Sequence, residues 1–227
     1  EDPEIDAICI GTWPYMHSTI TLAALDNGKH VLCEARMSMN SLEARDMYAA
    51  SVANPDLTTQ IVPPPHLMAC EKHLMDLIAD GFIGEVVNVN IRVTDGSSYP
   101  DSDAEAHWRQ MRELSGNNVM TTGIWYENLM RLVGTASSVS ANAQIVVPYR
   151  RGWDGNRYPM TIPDQLDVIY SLAGGGSVNM TVTTVSGSFV PPTEIWIFGT
   201  EGTLRIESNG LDVDPKITGA RKGDQVM

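Results

Sequence analysis

Residues 6–36 read DAICIGTWPYMHSTITLAALDNGKHVLCEAR, and this stretch decides the fold. Ile8-Cys9-Ile10 is a short apolar run stopped by Gly11. Ile20, Ala23, Ala24 and Leu25 then recur at helical spacing until Asn27-Gly28 ends the helix. A second apolar run, Val31-Leu32-Cys33, leads into Glu34-Ala35-Arg36. Two short strands around one helix predict a right-handed βαβ unit in a covered parallel sheet. Ligands of such sheets gather where the strands end, so residues 12–17 and 34–36 should line one crevice.

Around this unit the chain divides in two. Ser41 is the expected cap of a helix running to about Val52, and residues 59–62 read as a third strand closed by Pro63-Pro64-Pro65. A helix is expected from about His66 to Ala79, with Leu67, Cys70, Leu74, Leu77 and Ile78 on its apolar side. The pattern then changes: Val86, Val87, Val89, Ile91 and Val93 alternate roughly with polar residues, as on one face of an open antiparallel sheet. Helices are expected near His107–Leu114 and Thr121–Leu132, and strands over 138–147, 164–172, 176–185, 194–199 and 203–206. The fold class is therefore α/β plus α+β: a partial Rossmann-like parallel sheet, then a mostly antiparallel sheet with helices on one face. The boundary is placed at Pro64, giving domains 1–64 and 65–227.

Composition narrows the partners. A formal charge of −13 leaves no basic footprint for nucleic acid or an anionic membrane. No apolar run of about 18 residues is present and no signal peptide opens the sequence, so a cytoplasmic protein is expected. Cys9, Cys33 and Cys70 are odd in number, and core thiols are expected over disulfides.

Several residues stand out chemically. His17 sits in the crevice loop, where it serves either as a catalytic group or as a packed cap. Trp125 and Tyr126 offer rings for a sugar face or for the core. Glu127 is the only carboxylate in that helix and so the candidate acid/base, its alternative being an exposed surface glutamate. His107-Trp108-Arg109 adds an aromatic and polar mix. His66, Cys70 and His73 share a helix, but seven residues span about 10 Å, too far for one ion, and no metal site is expected. No G-x-S-x-G elbow occurs, which leaves a serine hydrolase without support.

The segments DPEIDAICIGT, LAALDNGKHVLCE, LIADGFIGEVVNVNIRV, GNNVMTTGIWYENLMRLVG and IFGTEGTLRI, in that order, resemble the Gfo/Idh/MocA oxidoreductases. That resemblance implies NAD(P)-dependent chemistry on sugars and polyols, with residual cofactor contacts at Thr12 and Glu34 and substrate contacts at Arg36, Glu34, Trp125 and Tyr126. It also exposes departures. The family's Glu-Lys-Pro stands here as Glu34-Ala35-Arg36, and its Asp-x-Gly-x-His as Thr121-Thr122-Gly123-Ile124-Trp125. Trp125 cannot exchange a proton near neutral pH.

The family's opening strand and G-x-G-x-x-G turn have no counterpart, so the chain is expected to be truncated at its N-terminus and to carry no cofactor of its own. The expected function is a truncated relative that acts on or binds a sugar-like small molecule, with His17 and Glu127 as catalytic candidates. The alternative is a cofactor-independent hydrolase, lyase or binding protein reusing the crevice. A raw sheet edge and an uncovered sheet face predict a homo-oligomer, with segments exchanged between chains as one means of cover.

Overall fold

The computed structural model describes residues 2–63, 67, 69–94, 99–119, 121–187, 191–209 and 215–224. Its elements begin with β1 (Ala7–Ile10), α1 (His17–Asp26), β2 (His30–Cys33), α2 (Ser41–Ala53) and β3 (Thr59–Ile61). Next come α3 (Glu71–Ala79), β4 (Val86–Thr94), α4 (Arg112–Ser115) and α5 (Thr122–Val133). Strands follow: β5 (Ala136–Gln144), β6 (Tyr149–Arg151), β7 (Arg157–Pro159), β8 (Gln165–Leu172) and β9 (Ser177–Thr183). The last are β10 (Thr193–Gly199), β11 (Gly202–Ser208) and β12 (Lys216–Arg221).

Two compact units emerge. The first holds Glu1–Pro64 together with Glu105–Asn118; the second holds Pro65–Ala104 and Val119–Met227.

In the first unit, β1, β2 and β3 pair in parallel in that order, with Ile10 beside Cys33 and Cys33 beside Ile61. Parallel pairing requires crossovers, and α1 and α2 supply them. Gly28, at φ 67°, reverses the chain after α1 while its N–H and that of Lys29 bond the Leu25 and Ala24 carbonyls. Ile10, Ala24, Leu25, Val31, Cys33 and Met47 form the core. Cys9 lies in β1 but is exposed, because β1 is an edge strand here and Cys9 points away from that core; only Cys33 and Cys70 are core thiols.

The cap of α2 is Asn40 rather than Ser41. Its side-chain oxygen accepts the N–H groups of Leu42 and Glu43, each at 3.0 Å, and Glu43 reaches back to the Met39 N–H at 2.9 Å.

The second unit is a seven-stranded sheet in the order β12-β11-β10-β4-β9-β8-β5. All its pairs are antiparallel except β4 with β9, where Asn88 stands beside Ser177. Alternate residues of the central strands, among them Val89, Ile91, Val178, Met180, Ile195 and Ile197, join Leu74 of α3 and Trp125, Leu129 and Leu132 of α5 in one core. The other face is mixed, with Trp196 stacked on Phe198 among polar groups. Asn90 meets Asn179 there, and Arg205 bonds both Glu194 and Glu207.

Helix α3 starts at Glu71, five residues later than its periodicity predicts, since Leu67 sits at φ 61° and cannot continue a right-handed helix. His66 lies outside the described residues. The hairpin β6–β7 and strand β12 carry too little apolar alternation to be read from sequence.

Candidate functional site

The carboxyl ends of β1 and β2 lead into Gly11–Met16 and Glu34–Asn40, and α1 begins at the far side of the first loop. His17 opens α1 and is 1 % exposed. Its Nδ1 lies 2.7 Å from the Arg36 carbonyl and its Nε2 lies 2.9 Å from the Thr12 carbonyl. A carbonyl only accepts, so the ring N–H donates to one of the two carbonyls, which one depending on the tautomer. His17 thus ties one strand-end loop to the other.

Thr12 and Glu34 are exposed at those same ends. The Glu34 carboxylate accepts the N–H of Ala35 at 3.2 Å. Arg36 is half-buried, and its Nη1 is fully buried with no hydrogen-bond partner among the described residues. Burial, with a second contribution from Arg109, pulls its guanidinium down to about 10.

The segment 105–118 belongs to this unit and supplies the rest of the site. Gly116 sits at φ 69° against the Met39 backbone, so close that a Cβ would collide with the Met39 carbonyl. Trp108 stacks on Trp13 with ring centroids 6.1 Å apart, and Arg109 lies over the Trp108 ring at 4.2 Å. The Arg109 N–H donates to His107 Nδ1 at 3.2 Å. Burial and Arg109 lower the His107 imidazole below its ordinary value. The sequence points the trio at 107–109 toward the crevice, and the structure places it in the first unit; nothing in the sequence marks Trp13.

The remaining sequence-selected residues lie on α5 of the second unit. Trp125 is 1 % exposed in the core. Tyr126 is half-buried, packs edge-on against Tyr170 at 5.8 Å, and its hydroxyl accepts the Ala136 N–H. Glu127 is paired with Arg131 at 3.0 Å, and Arg131 also reaches Glu71 at 3.2 Å. Thr121 precedes α5 in the left-handed region at φ 45°, a strained position for a β-branched residue. The structure thus brings Thr12, His17, Glu34 and Arg36 together in one unit and holds Trp125, Tyr126 and Glu127 in the other. Among the described residues no group of histidine, cysteine and acidic side chains could hold a metal.

Residues 72–205 match the GFO/IDH/MocA C-terminal domain, more than half of the chain. The chain belongs to the GFO/IDH/MocA family. Residues 1–59 match the oxidoreductase family with an NAD-binding Rossmann fold.

Levoglucosan dehydrogenase from Pseudarthrobacter phenanthrenivorans is 25% identical over 226 residues, covering 90% of this chain and 56% of that relative. The chain therefore spans a little over half of that relative's length. An NAD-binding oxidoreductase from Klebsiella pneumoniae superposes with a TM-score of 0.85 at 23% identity, over 98% of this chain and 58% of the other. Levoglucosan dehydrogenase in complex with NADH and levoglucosan gives 0.84 at 22% identity, over 99% and 59%. At these identities the structures show the fold.

The expectation of a chain without a cofactor is corrected by these findings. The match of residues 1–59 is to an NAD-binding fold, and structural neighbours of this GFO/IDH/MocA chain are complexes with NADH or NAD+. A glycine-rich turn speaks only for the pyrophosphate contact of a dinucleotide. At the strand ends, Gly11 leaves open space where a Cβ would stand, and Thr12 and Glu34 are exposed polar residues. No helix of the described residues is long and apolar enough to cross a membrane.

Proposed function

We propose that this chain acts as an NAD(P)-linked oxidoreductase on a sugar-like small molecule. The observation that carries the proposal is the match of residues 1–59 to the NAD-binding Rossmann fold, with Thr12 and Glu34 at its strand ends. Thr12 and Glu34 would hold the dinucleotide there. Arg36 and the Trp13–Trp108 stack would hold the substrate, Trp108 offering a face of the kind that packs on sugar rings.

Oxidation of a sugar hydroxyl releases a hydride from carbon and a proton from oxygen, and NAD(P), when bound, accepts the hydride. The proton needs a side chain that exchanges it near neutral pH. Buried Trp125 offers none. His107 and Glu127 are the two candidates we propose, and His17, with both nitrogens engaged, is proposed as a positioning residue. A homo-oligomer remains part of this reading, and sedimentation analysis checks it.

The test is calorimetric titration with the four nicotinamide dinucleotides, followed by turnover assays on neutral and acidic sugars. Binding that is lost in Thr12→Val and Glu34→Gln supports the proposal. Absence of binding to any of the four overturns it. Loss of turnover in His107→Gln, but not in Glu127→Gln, assigns the proton to His107; the reverse assigns it to Glu127.

A further inference from the structure

We propose that the free edge of β5 pairs with β5 of a second copy of this chain, antiparallel and about Ser140, so that two large sheets run together as one. The pairing rests on the homo-oligomer in the reading above and on no other part of it.

Strand β5 ends its sheet and, among the described residues, pairs only with β8. Every side chain from Ser137 to Gln144 is exposed, on both faces of the sheet, Val139 at 67 %. Such an edge offers a row of backbone N–H and C=O groups to any strand that meets it, and proteins ordinarily blunt it with charge, proline, shortness or a bulge. The opposite edge, β12, carries Lys216 at one end and Arg221 at the other. By contrast β5 is nine residues long, with neither a charge nor a proline among them. Its register shift falls at the start, between Ala136 and Ser138, and the run to Gln144 is regular.

Charge selects the occupant. Each copy has a formal charge of −13, so two copies repel over most approaches. This end of the sheet is different: residues 132–149 and 168–193 contain no charged side chain. Across β5, β8 and β9 the one charge is Asp167, whose carboxylate accepts the Thr181 hydroxyl at 2.9 Å. The ion pairs of this sheet lie further over, among Arg92, Glu194, Arg205 and Glu207 on β4, β10 and β11. Exposed apolar side chains gather at the neutral end instead: Val139, Ile145, Val146 and, beside Ser140 on β8, Ile169. A second copy brings the same uncharged edge, and a two-fold axis makes the strand its own partner.

The small residues of β5 suit that symmetry. With Ser140 on the axis, branched Val139 stands opposite Ala141 of the second copy, and Ser138 opposite Asn142, a hydroxyl facing an amide. Antiparallel pairing over Ser137–Ala143 makes about six to eight backbone bonds, a number within the range of a standard interface.

The experiment is sedimentation velocity of the whole chain from about 1 µM to about 100 µM, where a concentration-dependent dimer is expected. Ser140→Lys sets two like charges opposite each other at the axis and should weaken the dimer about fivefold. Val139→Lys with Ala141→Lys opposes two such pairs and should leave a monomer over the same range. All three side chains are exposed, so these variants should melt as the native chain does. Asn90→Lys, on the outer face of the same sheet, should dimerise normally. In a Cys9→Ser background, a mild oxidant should cross-link Ser140→Cys to its mate, since facing residues lie within disulfide reach. Ser138→Cys, about 14 Å from its mate in this register, should stay reduced.

A monomer at every concentration overturns the pairing and the homo-oligomer with it. An oligomer that survives both lysine variants, or that only Asn90→Lys breaks, overturns the pairing while the homo-oligomer stands. Cross-linking of Ser138→Cys as fast as that of Ser140→Cys overturns the axis at Ser140.

Discussion

The imidazole of His17 reaches the backbone carbonyl of Arg36 at 2.7 Å while its other nitrogen reaches Thr12, so one buried ring fixes both strand-end loops. His17→Ala removes both contacts and leaves a hole in a fully buried position. Loss of about 2–4 kcal/mol in urea unfolding is expected. His17→Gln, which reaches with only one nitrogen, should recover part. A loss below about 0.5 kcal/mol would mean the clamp contributes nothing measurable.

Gly116 makes a second fixed point. Its φ of 69° with ψ of −157° is a region open essentially to glycine, and a Cβ there strikes the Met39 carbonyl. Gly116→Ala should cost about 2 kcal/mol or more and lower the melting temperature. The same substitution at Gly11, where a Cβ meets nothing, should cost far less. Equal losses at both positions would contradict this account.

Alkaline pH should weaken the fold. Burial pushes the Cys33 thiol from 9.0 to about 11, and Tyr170 is raised in the same direction. Between those two pH values the unfolded chain gives up the Cys33 proton while the folded chain keeps it. Stability is therefore full below about pH 9 and falls as pH rises toward 11. Arg36, depressed to about 10, acts with the opposite sign and only above that pH. Unfolding curves at pH 8 and pH 10 should separate for the native sequence and draw closer in Cys33→Ala, the remainder coming from Cys70, whose thiol burial also raises, and from Tyr170. A thiol reagent at pH 8 should meanwhile modify Cys9 alone until denaturant is added.

Two neighbours on α5 should respond in opposite ways. Trp125→Ala empties a core position and should cost about 3–5 kcal/mol. Glu127→Gln breaks an exposed pair with Arg131 and should cost under about 1 kcal/mol. Thermal melts of both variants check this, and a large loss from Glu127→Gln would show that its pair with Arg131 is worth more than an exposed pair should be.

Much of this was legible in the residues. Apolar runs of three or four residues separated by one helical period announced β1, α1 and β2. The change to alternation at Val87 announced the large sheet. The cap of α2 was legible too: Asn40 has a glutamate three positions on, whereas Ser41 has alanine, and Asn40 accepts the Glu43 N–H while its side-chain amide donates to the Glu43 carboxylate. The parallel pairing of β4 with β9 was not legible, since partners 89 positions apart leave no local trace. Nor was the membership of Glu105–Asn118, which is set by contacts such as Gly116 on Met39 and Trp108 on Trp13. A buried arginine atom without a partner among the described residues has no sequence signature at all.

That stretch from Glu105 to Asn118 has a consequence for the covalent path of the chain. The first unit takes one of its own pieces from between two stretches of the second, so the polypeptide leaves it, returns for fourteen residues and leaves again. A cut at Pro64 does not yield the unit that carries Thr12, His17 and Arg36, because Trp108 and Gly116 remain on the other fragment. The two units are thereby bound to be inherited, expressed and unfolded as one length of chain, and an exchange of modules between relatives has no clean seam at which to recombine.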